Sequence, residues 1–460
     1  MKKYNQILLV ILCAVLLHGC DKSEFLDAKP RSTVEIPNTL EDLRALLDNI
    51  VVMNVTPNIG ELSCDDYQLS YDFWQTVVSS KERNAYIWAE DIFEGSTGIQ
   101  DWNIPYQQVH IANVVLEKLD EIEVTDKNRD EYRDVKASAL FFRSLAFYNL
   151  LQLFSPPYDA SSADSDMGVP LKLQADINSV TVRASVADSY GHLISDLQKS
   201  SAIINQEFPS VFIARPSKTA VLGLLARVHL SMREYASAEL YADSCLMYHD
   251  DLIDFNTLDK STNRPFSNTN QEVIFHSRCQ LLTSFFFYGF SSFKVSEGLL
   301  SSYDSKDLRN VIYFLPDGRF KRIHIDLTTP FTGLTTGEML LIRAECNVRK
   351  NNLTDALDDL NLLLLNRYET GEFTPMSSTS KEEVLTWVLE ERRKELALKG
   401  LRWSDLRRLN KEGRAITLQR EMNGIQYELK PNSRLYIFPI PSDEIALSGI
   451  PQNDRSNTTF

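Results

Sequence analysis

The segment Asp65-Asp66-Tyr67-Gln68-Leu69-Ser70-Tyr71-Asp72-Phe73-Trp74-Gln75 is the part of this sequence best equipped for binding chemistry. Flat rings offer apolar faces to the C–H surfaces of sugars, while carboxylates and amides meet hydroxyl or ammonium groups. Tyr67, Tyr71 and Trp74 stand at i, i+4 and i+7, a spacing that places three side chains on one face of a helix. Asp65, Asp66 and Asp72 flank that stripe. A stripe of this kind serves equally well to pack into a core. Trp88 is a second tryptophan with binding potential, and the aromatic run Phe285 to Phe293 contributes Tyr288. Part of that run must be buried, because so many adjacent rings are rarely all solvated.

Catalytic constellations are missing from the same sequence. It contains no G-x-S-x-G elbow, no H-E-x-x-H, no G-x-x-x-x-G-K-[ST] and no G-x-G-x-x-G. The seven histidines are scattered, and His229 falls at an inner-helix position that suits packing better than ligation. Carboxylate pairs such as Asp65-Asp66 and Asp358-Asp359 read as solvated surface, since a glycosidase needs two carboxyls about 5–9 Å apart in space and sequence adjacency does not supply that. No loop with calcium-binding spacing stands out. The reading is therefore a binder, with no cofactor and no metal.

Loops that bind must be held by a scaffold, and the rest of the sequence supplies one. Apolar residues recur at helical spacing through most of the chain, which predicts a mainly α fold with loop-rich, partly β insertions. Ala220–Leu246 superimposes on Glu338–Leu364 at a constant offset of 118 residues, pairing Ala226 with Ala344, Tyr235 with Leu353, Ala238 with Ala356, Ala242 with Leu360 and Cys245 with Leu363. Each segment is a helix, a turn at Arg233-Glu234 or Asn351-Asn352, and a second helix. Small residues sit where antiparallel helices approach closely, as in tetratricopeptide units. Thr335-Thr336-Gly337-Glu338 is a capping-box pattern that would start the second unit. Trp102–Ile122 with Arg129–Phe154, and Ser185–Ile204 ahead of the first clear unit, complete units at about 102–154, 185–249 and 337–366. Residues 55–101, 155–181, 250–335 and 366–380 hold most of the Pro, Gly, Ser and Thr and are expected to be loops or short strands. The helix of Glu391–Leu409 carries Arg392, Arg393, Glu395, Asp405 and Arg407, suited to ion pairs that pin helix to helix.

The chain begins with Lys2-Lys3, an apolar stretch from Ile7 to Leu17, and Leu17-His18-Gly19-Cys20. That is a basic n-region, an h-region too short to span a bilayer, and a cleavage site. Small Gly19 before Cys20 resembles a bacterial lipobox, so residues 1–19 are expected to be a signal peptide and Cys20 a lipid anchor. Loss of residues 1–19 removes two lysines and no acid, making the formal charge of −15 more negative still. An acidic body is a poor partner for nucleic acid or anionic lipid. Of the remaining cysteines, Cys64, Cys245, Cys279 and Cys346, the second and fourth fall on helices and read as buried free thiols.

The motifs Gly337–Asn347 (GEMLLIRAECN), Glu391–Leu406 (ERRKELALKGLRWSDL) and Phe438–Asn453 (FPIPSDEIALSGIPQN) resemble the SusD/RagB family of outer-membrane lipoproteins. So do CDKSEFLDAKP after the anchor, Trp102–Asn113, Ala139–Leu151 leading to Gly168-Val169-Pro170-Leu171, and Tyr190–Leu197. These span nearly the whole of residues 20–460 in family order, so that range is expected to form a single SusD-like domain, with a family-type C-terminal region at about 367–460. Lys399 and Leu401 depart from the family pattern, which more often has an acid and a polar or aromatic residue there. The resemblance implies a tetratricopeptide-like scaffold, a cell-surface location, and a substrate-capturing role over a SusC-like TonB-dependent transporter. It implies an oligosaccharide ligand, with a RagB-like peptide ligand or a protein-binding assembly role as alternatives. It also suggests that segments 61–90 and 280–295 meet on one face, and that Trp102, Trp387 and Trp403 are structural.

Overall fold

Some helices begin at a capping serine or threonine, while others, among them the two longest, start without a side-chain cap. The computed structural model describes residues 37–456, apart from 177, 211, 268, 281–292 and 322–329. Cys20, Tyr288 and most of the 285–293 run lie outside the described residues. The first helices are short: α1 (Leu40–Leu47), α2 (Ile59–Ser63), α3 (Tyr71–Thr76) and α4 (Ser80–Tyr86). The scaffold follows with α5 (Gln100–Leu119), α6 (Arg129–Phe154), α7 (Val186–Ile203), α8 (Lys218–Met232) and α9 (Tyr235–Tyr248). After the short α10 (Glu297–Leu300) and α11 (Arg309–Tyr313) come α12 (Thr336–Arg349), α13 (Leu353–Leu365), α14 (Lys381–Glu395), α15 (Arg402–Lys411) and α16 (Ser442–Ser448). Ser185, Ser217 and Ser380 cap α7, α8 and α14 by accepting the N3 backbone N–H, which satisfies a donor the helix itself cannot.

The internal repeat is visible in the backbone. Hairpins α8–α9 and α12–α13 both turn through a non-glycine residue in the left-handed region, Arg233 (φ 66°) and Asn351 (φ 69°), at the same offset of 118. Ala226 and Ala344 are both fully buried, as are Ala238 and Ala356, so the backbones approach where only a methyl group intervenes. Thr335 caps α12 by accepting the Glu338 N–H. The expected return bond gives way to something stronger: the Glu338 carboxylate binds buried Arg227 at 2.6 and 2.8 Å, tying the two hairpins together. Helix α6 is buried through most of Ala137–Phe154 and lies between α5 and α7.

The insertions are stitched to this scaffold by five two-stranded sheets among the described residues. Their strands are β1 (Val55–Thr56), β2 (Tyr67–Leu69), β3 (Met167–Pro170), β4 (Arg183–Ser185), β5 (Val273–Phe275), β6 (Arg278–Cys279), β7 (Phe293–Val295), β8 (Leu334–Thr335), β9 (Leu418–Met422) and β10 (Ile425–Leu429). The parallel β1–β6 pair and the antiparallel β2–β7 and β5–β8 pairs join segments far apart in sequence. Gly168 in β3 lies against α7 so closely that a Cβ would stand 2.5 Å from Ser189 Oγ and 2.6 Å from the Ser185 carbonyl. Described residues from Thr39 onward form one compact unit, and no described helix is long and apolar enough to cross a membrane. All four described cysteines are buried and unpaired.

Buried arginines lock the C-terminal helices. Arg408 bridges Glu345 (2.6 Å) and Asp405 (2.7 Å), and Arg392 reaches Asp405 at 2.9 Å. Arg309 holds Asp307 and Glu391, and Arg367 holds Glu272 and Glu395. Burial alone would raise Glu345 and Glu395. For Glu345 the guanidinium of Arg408, helped by Arg349 and Arg392, overcomes it, and for Glu395 Arg367, helped by Lys399 and Arg309, does the same; each is held at about 2. Arg407 departs from the expected ion-pair role. It donates to the Leu151, Gln152 and Ser155 carbonyls at the end of α6, supplying partners to carbonyls that a helix C-terminus leaves open.

Candidate functional site

The acid and aromatic segment is split between two environments. Ser70 breaks the expected helix: it caps α3 by accepting from Phe73 N, so Tyr67 belongs to β2 and only Tyr71 and Trp74 share a helix. The three-residue stripe predicted for Tyr67, Tyr71 and Trp74 is therefore replaced by a pair. Tyr67 is 3% exposed and donates its hydroxyl to the Leu62 carbonyl at 2.5 Å. Trp88 is 4% exposed, with φ of 54°, and donates its indole N–H to Ser63 O at 2.9 Å. The Arg420 guanidinium lies over the Tyr67, Tyr86 and Trp88 rings. Tyr67 and Trp88 thus have no face to offer a ligand.

Asp65 and Asp66 also differ from the solvated surface pair expected of them. Arg402 grips Asp65 at 2.7 Å, and Arg393 contacts Asp65 and Asp66 at 3.0 Å each. Asp359 is likewise engaged, by Arg343 at 2.7 Å. Close by, Glu61, Cys64 and Asp66 bring ligand-type atoms within 4.8 Å of one another. The Cys64 thiol already donates to the Glu61 backbone carbonyl (3.2 Å) and carboxyl (3.4 Å), and two arginines balance the two aspartates. Burial nonetheless lifts Asp66 above its usual carboxylate range, and burial, reinforced by Asp66, pushes Glu61 up to about 8.

Tyr71 and Trp74 remain half-buried on α3, with ring centroids 6.0 Å apart and planes within 26°. Trp74 is oriented by its indole N–H bond to Arg83 O at 3.0 Å. Asp72 and Gln75 are exposed beside them, and Val78 is 90% exposed. The β2–β7 ladder sets Tyr67–Leu69 against Phe293–Val295, the described end of the 280–295 segment; residues 281–292 lie outside the described residues.

A second surface was not singled out by sequence reasoning. At the head of α5 a groove of about 790 Å³ opens between that helix, the 170–181 loop and α16, within the size range of small-ligand sites. Three side chains of α5 fasten its rim. Tyr106 donates to Pro170 O at 3.0 Å, Asn113 Nδ2 donates to the Lys172 (2.9 Å) and Gln174 (3.1 Å) carbonyls, and Glu117 accepts from Ala175 N at 2.7 Å. Asn113 is in turn held by Arg143, itself bonded to Asp196 of α7. Fastened this way, the loop brings Gln174, Asp176 and Asn178 to the groove, which Asn103 and His110 of α5 and Glu444 of α16 also line. The Trp102–Asn113 motif held the available signal: Asn103, Tyr106, His110 and Asn113 recur at helical spacing on the side of α5 that Trp102 shares, and Trp102 itself lines the groove.

The residues read as structural occupy the core. Trp102 and Trp403 are each 3% exposed, Trp403 is stacked on Phe438 with centroids 5.3 Å apart, and Trp387 packs partly buried against the same core. His229 stacks on Tyr241 and its Nδ1 lies 2.7 Å from Glu234.

A family model described as "Starch-binding associating with outer membrane" matches residues 24–230, and the SusD family model matches residues 328–454. The fold agrees with solved structures along almost its whole length. A SusD superfamily protein from Bacteroides fragilis aligns with a TM-score of 0.74 at 19% identity, covering 90% of this chain and 99% of that one. Another from Bacteroides thetaiotaomicron gives 0.72 at 20% identity, covering 91% and 100%. A SusD-like carbohydrate binding protein from Bacteroides vulgatus gives 0.69 at 19% identity, covering 90% and 97%. No curated protein matches the sequence significantly. This is a mainly α, tetratricopeptide-like scaffold carrying loop-borne surfaces. The chain belongs to the SusD/RagB family.

Proposed function

We propose that this protein is a cell-surface lipoprotein, anchored in the outer membrane through Cys20, that captures an oligosaccharide and delivers it to a SusC-like TonB-dependent transporter. The observation that carries the reading is the groove at the head of α5. It combines ligand-sized volume with amide and carboxylate side chains on a loop that α5 holds rigid. Rigid presentation of hydrogen-bonding groups lowers the ordering cost of binding a hydroxyl-rich chain. Tyr71 and Trp74 add a second contact surface, where half-exposed rings suit the apolar faces of sugars. The family model's description and the carbohydrate binding relative support a glycan ligand. A lipid tether holds the binder close to its transporter and raises their effective concentration.

Calorimetric titration of the soluble domain against ligands picked from a broad glycan array tests the capture step. The expected result is saturable binding that Trp74→Ala or Asn178→Ala weakens. Silence across the array, with peptides found by native mass spectrometry of purified protein, would overturn the glycan reading. Mass analysis of full-length protein tests the anchor: wild type should carry acyl chains on Cys20, and Cys20→Ser should carry none.

A further inference from the structure

We infer that the α5 groove selects its glycan by charge, favouring amine-bearing and uncharged chains and rejecting uronic and sulfated ones. The inference rests on the capture reading and names the substrate class of that same groove.

The charged groups of the lining differ in what they already bind. Asp176 lines the groove exposed, and among the described residues its carboxylate accepts the Asn178 N–H, at 2.8 Å. Glu444 of α16 also lines it. Neither carboxylate belongs to any ion pair among the described residues. The cations nearby are committed elsewhere. Lys172, the one lysine on the lining, donates to Ser179 O at 2.7 Å and Ser179 Oγ at 3.2 Å. Arg183 in β4 spends its donors on the Gly168, Met167 and Pro451 carbonyls, at 2.8, 3.0 and 3.1 Å. Two further acids flank the lining: Glu117 accepts from Ala175 N, and Asp443 accepts from Gly98 N at 2.9 Å.

Two carboxylates outside any described ion pair therefore line the groove with one ammonium, whose donors turn back into the loop, and the exposed imidazole of His110 on α5. Anionic sugar chains are bound by arginine and lysine donors aimed outward, and this lining presents none. Carboxylates beside primary amides instead accept from hydroxyl and ammonium groups. A uronate or sulfate entering here meets like charge without a counter-ion, which is discrimination by repulsion.

A glycan array carrying amino, uncharged, uronic and sulfated chains of several linkages tests this with wild type and with the double variant Asp176→Asn/Glu444→Gln. Wild type is expected to bind amino and uncharged chains at least tenfold more strongly than uronic or sulfated chains of like linkage. The double variant should narrow that ratio at least fivefold while melting within a few degrees of wild type, since both residues lie at the surface. Asp358→Asn, an exposed position on α13 outside both proposed surfaces, serves as a control and should leave the ratio unchanged. A uronic or sulfated chain as the strongest ligand of wild type overturns the inference while leaving capture intact, and so does a ratio that the double variant leaves unaltered. Absence of binding to every chain removes the capture reading and this inference with it.

Discussion

The 61–90 segment and the α5 groove make opposite use of the same residue types. In the first, neighbouring acids and rings look poised for a ligand, yet Asp65, Asp66, Tyr67 and Trp88 are consumed by Arg393, Arg402, Arg420 and backbone carbonyls. In the second, amides and acids scattered over three segments stay open because Tyr106, Asn113 and Glu117 do the fastening for them. What separates the two is where the counter-charges lie. Buried guanidinium groups turn acids into structure, and their absence leaves acids free to meet a ligand.

The largest effect should come from breaking the buried side of that comparison. Arg393→Ala removes the close guanidinium from buried Asp66, leaving only Arg402 at 3.9 Å, and breaking a buried pair in this way costs about 3–5 kcal/mol. Denaturant melts should show that loss. Glycan affinity of the folded fraction should stay unchanged, and a parallel loss of affinity would merge the two regions functionally. Gly168→Ala should cost about 1–3 kcal/mol by overpacking β3 against α7, and should also weaken glycan binding because β3 leads into the groove loop. Trp74→Ala should do the reverse: about tenfold weaker binding, equivalent to about 1.4 kcal/mol, with a melting temperature near wild type.

Glu61→Gln changes a slope. A buried acid pushed up to about 8 is favoured in its protonated form by folding, so wild-type stability should decline as pH rises from about 4.5 through 8 and then level off. The glutamine variant, which does not titrate, should lack that decline. Glu345 and Glu395 act in the other direction. Held at about 2 by arginines, they contribute stability that is present above about 4.5 and lost as pH falls toward 2. Melting temperatures across pH 3–9 separate the two contributions.

How legible each part was depends on the sequence distance of its partners. The hairpins could be read because Ala226, Ala238, Ala344 and Ala356 recur at a fixed offset, and turns such as Asn351-Asn352 lie inside the repeat. The helix break at Ser70 left a local trace too, a serine followed by Asp72 in the first turn, but the i, i+4, i+7 aromatic spacing outweighed it. The fate of Asp65 and Asp66 could not be read locally, because Arg393 and Arg402 stand more than three hundred residues away. Arg407 looked like its neighbours and differs only because the end of α6 lies against it. The groove was invisible for the same reason: α5, the 170–181 loop and α16 meet only in the folded chain. Lys399, a departure from the family pattern, is buried between Glu395 at 3.9 Å and the Tyr313 ring.

Hydrogen exchange measured with and without a saturating oligosaccharide tests the account most directly. It predicts ligand-dependent protection concentrated in residues 171–181 and 444–448, with a second, smaller effect at 71–76. Protection confined to the core hairpins, or the absence of any change at 171–181 under saturation, would contradict it.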